Sequence, residues 1–234
     1  MPSLRSLLFL LGLVAVLTTA GCPHQGNYGL APKPFRIGIT GAIGDISATH
    51  AVELVFVGSG DSGCVYDVLG GLLHAETPLV AKTPNARSRE INQIEHEALL
   101  DIGELYMVGQ SIGDTRDWLF IKKHYGVPLR KTAAFLQRYP RGHNMINTPD
   151  AIMECETSMN AHYRLIVDKW LEYIESSEKV RKLGGLDGGG WFQSDLNDGN
   201  WLWPNLEEVN IIDWDNAMLV KFPNTVVKNE WVGR

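Results

Sequence analysis

Apolar and polar residues alternate in short runs through the first half of the chain, between about residues 51 and 126. Alternation with a period of two is the pattern of a β-strand that has one buried face. The segment AVELVFVGSGDSGCVYDVLGG, residues 51–71, therefore predicts a strand, a glycine turn and a second strand. Further runs of this kind predict three more strands, TPLVAKTP at 77–84, ELYMVGQSIG at 104–113 and DWLFIKKHYG at 117–126.

Elsewhere the apolar residues recur every three or four positions, which is the spacing of an amphipathic helix. NARSREINQIEHEALLDIG at 85–103 predicts one helix, and Gly103 is a suitable stop. TAAFLQRYP at 132–140 predicts a short helix, and a long one is predicted for 148–180, beginning at Thr148-Pro149-Asp150. The buried face of the long helix is expected to carry five residues, Met159, Tyr163, Ile166, Trp170 and Ile174.

Together these elements predict an α+β protein with two lobes. Residues 51–126 are expected to form a β-rich N-lobe that carries one helix, and residues 127–234 a reduced, mainly helical C-lobe. Residues 22–50 are rich in glycine and proline and predict a loose lead-in with one strand at FRIGIT, residues 35–40. A chain of 234 residues is long enough for one large domain or two small lobes with a core.

The N-terminus has the layout of a secretory signal peptide over residues 1–21. One basic residue, Arg5, precedes an apolar run from Leu7 to Leu17, and small residues follow. The apolar run is too short for a membrane span, so no span is expected after signal removal. Secretion is the prediction, while a lipid anchor at Cys22 and a buried N-terminal helix stay open as alternatives.

Composition and charge narrow the classes of function. Hydrophobic residues make up 44% of the chain and charged residues 21%, close to ordinary globular values. The formal net charge of −6 gives no sign of a nucleic-acid or lipid-surface binder. The three cysteines, Cys22, Cys64 and Cys155, allow at most one intramolecular bridge, and without a C-x-x-C pair a zinc site is not expected.

A glycine-rich turn is the first candidate for chemistry. Gly58, Gly60 and Gly63 form a G-x-G-x-x-G pattern, with Val65 two residues beyond it. Glycines let backbone amides approach phosphate groups, although glycine turns are also common in hairpins. A strand and not a helix follows, which argues against a Rossmann dinucleotide site. Lys82, in the next strand, is either an edge charge or a cation that reaches the same phosphates.

A glutamate falls on the apolar side of the helix predicted at 85–103. With about 100° of rotation per residue, Glu95 lies inside the apolar stripe of that helix. The stripe is formed by Ile91, Ile94, Ala98, Leu99 and Ile102. Because a carboxylate that faces the core needs a partner, Lys82 is the expected one. The alternative is that Glu95 lies at the edge of the stripe with its carboxylate in water.

Three oxygen-bearing side chains late in the chain predict a site for a hard cation. Asp195 and Asn200 are five residues apart in DLNDGN, and Asp213 follows the apolar run at 209–212. Carboxylate, amide and phosphate oxygens are the ligands that magnesium prefers. Asp195 is expected to act as a base toward a hydroxyl group, with Asn200 and Asp213 as metal ligands.

In this order the motifs resemble the protein-kinase-like superfamily. The matching features are the glycine-rich turn, the lysine of Val80-Ala81-Lys82, the helix glutamate, the D-x-x-x-x-N loop and the later aspartate. DWLFIKKHYGVPL is similar to the strand and hinge that hold adenine, and IIDWDNA and DLNDGN are similar to motifs of the aminoglycoside and choline phosphotransferase branch.

The resemblance covers about residues 50–220. It implies a bilobal protein-kinase-like fold that binds ATP and magnesium. The glycine turn would then cover the phosphates of the nucleotide, and Lys82 with Glu95 would position them. Asp195 would be the catalytic base, and Asn200 and Asp213 would hold the metal.

Two features depart from the pattern of the superfamily. Gln193 and Ser194 precede Asp195, where the family usually has histidine followed by arginine or glycine. The chain also reaches its last residue, Arg234, with no A-P-E motif after Asp213. Two functions therefore stay open. One is a phosphotransferase with a protein or small-molecule hydroxyl acceptor, and the other is an inactive kinase-like module, a pseudokinase, that binds a partner. A secreted α+β domain unrelated to kinases is a third reading.

Overall fold

The computed structural model describes residues 22, 31–43, 46–60, 63–72, 76–85, 90–133, 149–177, 190–195 and 198–220. The chain divides into two compact units. The barrel unit comprises Met1–Asn92 with Tyr106–Lys122, and the second unit comprises Gln93–Leu105 with Lys123–Arg234. The predicted signal peptide at 1–21 lies outside the described residues, and the predicted segment boundaries at residues 50 and 126 stay predictions.

Six strands of the barrel unit close into a barrel in the order β1-β2-β3-β4-β6-β5. The strands are β1 (Phe35–Ile43), β2 (Ile46–Ser59), β3 (Cys64–Gly70), β4 (Leu79–Thr83), β5 (Leu105–Ser111) and β6 (Asp117–Lys122). All the strands predicted from alternation are therefore confirmed. Because β1 pairs with β2 on one side and with β5 on the other, the sheet has no long open edge.

The core of the barrel follows from the alternation along the strands. Val52 and Leu54 of β2 are fully buried, whereas Ala51 is exposed. In β3 the ring of Tyr66 packs against that of Trp118, with 5.4 Å between ring centroids. These apolar and aromatic side chains fill the interior of the barrel, as the period-two pattern predicts.

One disulfide joins Cys22 to Cys64, the first residue of β3. Their Cα atoms are 5.6 Å apart, and 42 residues separate them in sequence. The bridge uses two of the three cysteines and agrees with the limit of one bridge that the cysteine count sets.

The first helix, α1 (Gln93–Asp101), is shorter than the predicted span at 85–103. Its last residue is Asp101, and Gly103, the predicted stop, follows two residues later with a φ of +77°. The Gly103 N–H donates a hydrogen bond to the Leu100 carbonyl at 3.3 Å, and the Glu104 N–H donates one to the Leu99 carbonyl at 2.9 Å. This pair of bonds is a Schellman motif, which favours glycine at the left-handed position.

The second helix, α2 (Pro149–Ser176), confirms the long helix, and its first residue is the predicted proline. Its predicted apolar face is only partly buried. Ile166 packs against a cluster of Leu129, Trp203 and Val209, but Tyr163 is 49% exposed. The predicted short helix at 132–140 lies largely outside the described residues. Neither α1 nor α2 has the length and apolar character that crossing a membrane would need.

The predicted fold class is wrong, because the described structure is mostly β. After α2 it forms two small antiparallel sheets instead of further helices. One pairs β7 (Gly190–Gln193) with β10 (Ala217–Val220), and the other pairs β8 (Trp201–Leu202) with β9 (Asn210–Ile211).

The described residues thus contain a closed six-stranded barrel and two α-helices, and not a bilobal kinase fold with a mainly helical C-lobe. The physical reason lies in the sequence after residue 189. Its apolar runs are short, rich in aromatic residues, and separated by Gly, Asn and Pro, so they pair as strands.

Candidate functional site

The glycine-rich turn joins β2 to β3 in the barrel unit. Gly58 pairs with Val65 across the two strands, and the Gly60 N–H donates a hydrogen bond to the Gly63 carbonyl at 2.9 Å. A Cβ added at Gly58 or Gly60 would meet no atom within 4 Å, whereas one at Gly63 would collide with the backbone of Thr83. Packing within the chain therefore explains Gly63 but not the other two glycines. The open space around Gly58 and Gly60 suits the approach of a phosphate group.

Lys82 lies in β4, between two neighbouring strands and not at an edge of the sheet. It pairs with Val65 of β3 and with Leu119 of β6. The lysine is 8% exposed, so it is not an edge charge in water. The structure thus brings Lys82 together with Val65, one strand from the glycine turn, and the role of Lys82 toward phosphate stays a prediction.

Glu95 is 3% exposed in the first turn of α1, so its carboxylate is not at a solvent-exposed edge of the helix. Ala98 and Leu99 of the predicted stripe are also buried, but Ile94 is 49% exposed. The buried face is therefore narrower than the stripe that was predicted. Glu95 belongs to the second unit and Lys82 to the barrel unit, and their pairing stays a prediction.

Asp195 and Asn200 contact each other directly in the second unit. The Asn200 Nδ2 donates hydrogen bonds to Oδ2 of Asp195 at 3.1 Å and to the Asp195 carbonyl at 3.2 Å. Asn200 is buried at the end of a 3-10 turn (Asp198–Asn200), and Asp195 is half-buried shortly after β7. Because the amide nitrogen is committed to Asp195, the amide oxygen is the atom of Asn200 with the chemistry of a magnesium ligand.

Asp213 lies two residues after β9 and has a left-handed backbone. Its φ is +61°, a conformation that costs a residue with a Cβ about 1–2 kcal/mol. Strain of this kind occurs often at functional sites, where the surrounding structure enforces it. The preceding residue, Ile212, donates its N–H to the Asn200 carbonyl at 2.9 Å. The backbone of Asp213 is thereby held beside the segment that carries Asn200.

Gln193 connects β7 to the segment of Asp213. Its Nε2 donates hydrogen bonds to the Ile212 carbonyl at 2.6 Å and to the Asp213 carbonyl at 2.8 Å. The residue is 4% exposed, so both bonds are shielded from water. Gln193 stands where the resemblance leads one to expect histidine two residues before Asp195, and its amide holds the two predicted site segments together.

A network around Asp101 anchors β7 to both helices and was not predicted from the sequence. The Asp101 Oδ2 accepts a hydrogen bond from Nε1 of Trp191 at 2.7 Å and another from the Ser177 hydroxyl. The Trp170 Nε1 donates to the Trp191 carbonyl at 2.6 Å. Since 90 residues separate Asp101 from Trp191, no local pattern signals this contact. The network fixes the strand that leads into Asp195.

A tyrosine next to this region contributes no charge. Burial, with the negative charges of Glu104 and Glu172, raises the pKa of Tyr173 well above its ordinary value. Its ring packs edge-on against Trp214, with 5.7 Å between centroids. The phenol of Tyr173 therefore stays neutral, and its contribution is to pack against Trp214, the residue that follows Asp213.

The donor set for a metal is small. Within the described part of the chain no three His, Cys, Asp or Glu side chains group as metal ligands would. Magnesium needs fewer protein ligands, because it usually keeps several waters and binds through one or two carboxylates and substrate phosphates. The amide oxygen of Asn200 and the carboxylate of Asp213 fit that chemistry.

Alanine at Gly60 and alanine at Gly63 should separate packing from ligand binding. Gly63→Ala is expected to lower the free energy of unfolding by about 1–3 kcal/mol, because the backbone of Thr83 cannot swing away from the new Cβ. Gly60→Ala should change it by less than about 0.5 kcal/mol and weaken nucleotide binding. Chemical denaturation and calorimetric titration with ATP measure the two effects. Unchanged ATP affinity in Gly60→Ala would remove the turn from the nucleotide site.

Comparisons with known proteins identify no family. No protein-family model matches the chain, and no curated protein matches it. A solved structure of spectinomycin phosphotransferase, in complex with ADP and spectinomycin, is similar at 14% identity and a TM-score of 0.33. The match covers 73% of this chain and 65% of that one, so the chain spans about two thirds of the length of that phosphotransferase. A TM-score of 0.33 does not establish a shared fold.

Proposed function

We propose that this protein is a phosphotransferase that uses ATP and magnesium to phosphorylate a hydroxyl acceptor. One observation carries the proposal, the grouping of Asp195, Asn200 and Asp213 in the second unit. Asn200 bonds to the Asp195 carboxylate at 3.1 Å, and its carbonyl accepts the N–H of the residue before Asp213 at 2.9 Å. A base and two magnesium ligands held on adjoining segments are what phosphoryl transfer to a hydroxyl needs.

Each residue of this group has a separate task in the proposed reaction. Asp195 accepts the proton of the acceptor hydroxyl, and the hydrogen bond from Asn200 orients its carboxylate for that transfer. Asn200 and Asp213 would hold magnesium through the amide oxygen and the carboxylate. When bound, the metal supplies positive charge that offsets the charge of the phosphates. Gln193 keeps the Asp213 backbone in place through two carbonyl contacts.

For the barrel unit we propose binding of nucleotide phosphates at the glycine turn. The open space around the Cβ positions of Gly58 and Gly60 supports this, because glycine lets a phosphate approach the backbone closely. The position of Lys82, paired with Val65 one strand away, supports a cationic contact to the phosphates. The predicted task of Glu95, to orient Lys82, belongs to the same proposal.

We also propose that the protein is secreted. The signal-like pattern at 1–21 and the Cys22–Cys64 bridge both support this, because disulfides persist mainly in oxidising compartments. In the bridged protein the sulfur of Cys22 is not available for the thioether that a lipid anchor requires. The bridge therefore favours a secreted form over the lipid-anchored alternative.

The second candidate is a binding module, or pseudokinase, that holds nucleotide without transferring phosphate. The small number of candidate metal ligands favours this binding module. In the described part of the chain a metal would depend largely on Asn200 and Asp213. A module of this kind would need the glycine turn and Lys82 but not the Asp195 carboxylate.

ADP formation from ATP, with and without magnesium, tests the proposed function. The purified protein should form ADP only when magnesium is present, and faster when a hydroxyl acceptor is added. Acceptors should include serine-containing peptides and small alcohols, so that the protein and small-molecule classes are separated. ATP binding with no ADP formation under any of these conditions would reject the phosphotransferase and support the binding module.

A further inference from the structure

The disulfide lies at the base of the glycine turn. Cys64 directly follows Gly63, is fully buried, and is the first residue of β3. Its partner Cys22 packs against the core of the barrel. The bridge thus ties the glycine turn to a residue 42 positions earlier in the chain.

The end of the turn at Cys64 is held from several sides. Cys64 pairs with Ser59 of β2 and with Thr83 of β4. Gly63 lies so close to Thr83 that no Cβ fits between them. Gly58 and Gly60, at the other end of the turn, have no such contacts around their Cβ positions. The bridge therefore adds a covalent restraint at Gly63 and Cys64 and leaves the space around Gly58 and Gly60 open.

We propose that the Cys22–Cys64 bridge is a positioning element for the glycine turn, and that it raises the affinity of the barrel unit for nucleotide phosphates. The inference rests on the proposed function, since it assigns the turn to phosphate binding. A turn that is ordered before the ligand arrives loses less conformational entropy on binding. Cutting the bridge frees residue 22 and loosens the base of the turn, so that part of the binding free energy is spent on ordering it.

The same geometry makes nucleotide affinity sensitive to thiols. In reduction, one thiolate attacks a sulfur of the bridge and a second resolves the mixed disulfide. Two external thiols thereby give up two electrons and two protons and become one external disulfide, while Cys22 and Cys64 become free thiols. Affinity for ATP should fall as the bridge is reduced and return when it is reoxidised.

The experiment compares two proteins in a background that lacks the third cysteine. Cys155→Ser keeps the bridge and serves as the control, and Cys22→Ser/Cys155→Ser removes the bridge without offering Cys64 a new partner. Calorimetry with magnesium and ATP, well below the melting temperature of both proteins, should show affinity weaker by at least about fivefold in the double variant. In the ADP assay the KM for ATP should rise by the same factor while kcat stays unchanged.

Each outcome decides between positioning and simple stabilisation. A lower melting temperature with an unchanged Kd and KM for ATP would overturn the inference, because the bridge would then only stabilise the barrel. If the double variant fails to fold, the Cys155→Ser control treated with dithiothreitol provides the same comparison in a chain that folded with its bridge. Failure of ATP to bind the bridged control would overturn the proposed function together with the inference, whereas equal binding by both proteins would overturn the inference alone.

Discussion

Asp213→Gly is expected to slow phosphoryl transfer strongly and to leave the protein at least as stable as before. The φ of +61° places Asp213 in a region that glycine adopts without steric cost. Relief of about 1–2 kcal/mol of strain should offset the extra flexibility that glycine gives the unfolded chain, about 0.5–1 kcal/mol. Loss of the proposed metal ligand should lower the rate of transfer by at least about 10²-fold. A substitution that raises stability but lowers the rate of transfer indicates that the original residue serves function and not stability.

Thr115→Gly is the matched control for this prediction. Thr115, the other non-glycine residue with positive φ in the described structure, has a φ of +54° and lies between β5 and β6. Its replacement should give a similar gain in stability with no change in the rate of transfer. Denaturation curves and rates of ADP formation for both variants supply the comparison. A large loss of stability in Asp213→Gly would show that the carboxylate is structural and would contradict its assignment as a metal ligand.

Gln193→Leu is expected to damage both the fold and the reaction. Leucine is close to glutamine in size but leaves the carbonyls of Ile212 and Asp213 without their buried donor. The free energy of unfolding should fall by about 1–3 kcal/mol. The rate of transfer should fall by about 10²-fold even in the folded fraction, because the Asp213 backbone loses the contacts that fix it. Small displacements of catalytic groups lower reaction rates strongly.

Substitution of an exposed glutamine, Gln110, provides the control, and Gln193→His provides a second test of the same position. Gln110 donates to Asp117 at 3.1 Å on the surface of the barrel, so Gln110→Leu should change stability by less than about 0.5 kcal/mol and leave transfer intact. Gln193→His restores a donor that titrates near neutral pH, so any activity it recovers should depend on pH in that range. Full activity in Gln193→Leu would mean that the amide does not position Asp213.

Local patterns predicted the strands of the barrel, the end of α1 and the start of α2, but not the closure of the sheet. Alternation gave β2 to β6, and Gly103 marked the end of α1 because a left-handed stop is a local property. Closure depends on β1 pairing with β5, for example Ile39 with Ser111, across 72 positions of sequence. Pairing at that distance leaves no periodic trace. The strand at 35–40 was therefore predicted only as part of a loose lead-in, whereas β1 is a member of the barrel.

The candidate site was predictable in its residue types but not in its contacts. The five-residue spacing of Asp195 and Asn200 pointed to a shared site, and their side chains do meet. Gln193 was noticed only as a replacement for histidine, since its two carbonyl partners lie 19 and 20 residues away. Asp101 gave no signal at all, because a carboxylate at the end of a helix is an ordinary solvated residue until a distant tryptophan donates to it.

The proposed role of Asp195 is tested by transfer of labelled phosphate from ATP, with magnesium, measured for the protein from Cys22 onward and for its Asp195→Ala variant. We expect the wild-type protein to transfer label to an acceptor or to release it, and the rate to fall by about 10²–10⁴-fold in Asp195→Ala. ATP should still raise the melting temperature of the variant, which shows that binding survives the substitution. Equal rates in the two proteins would rule out Asp195 as the catalytic base, because the reaction would then not depend on its carboxylate.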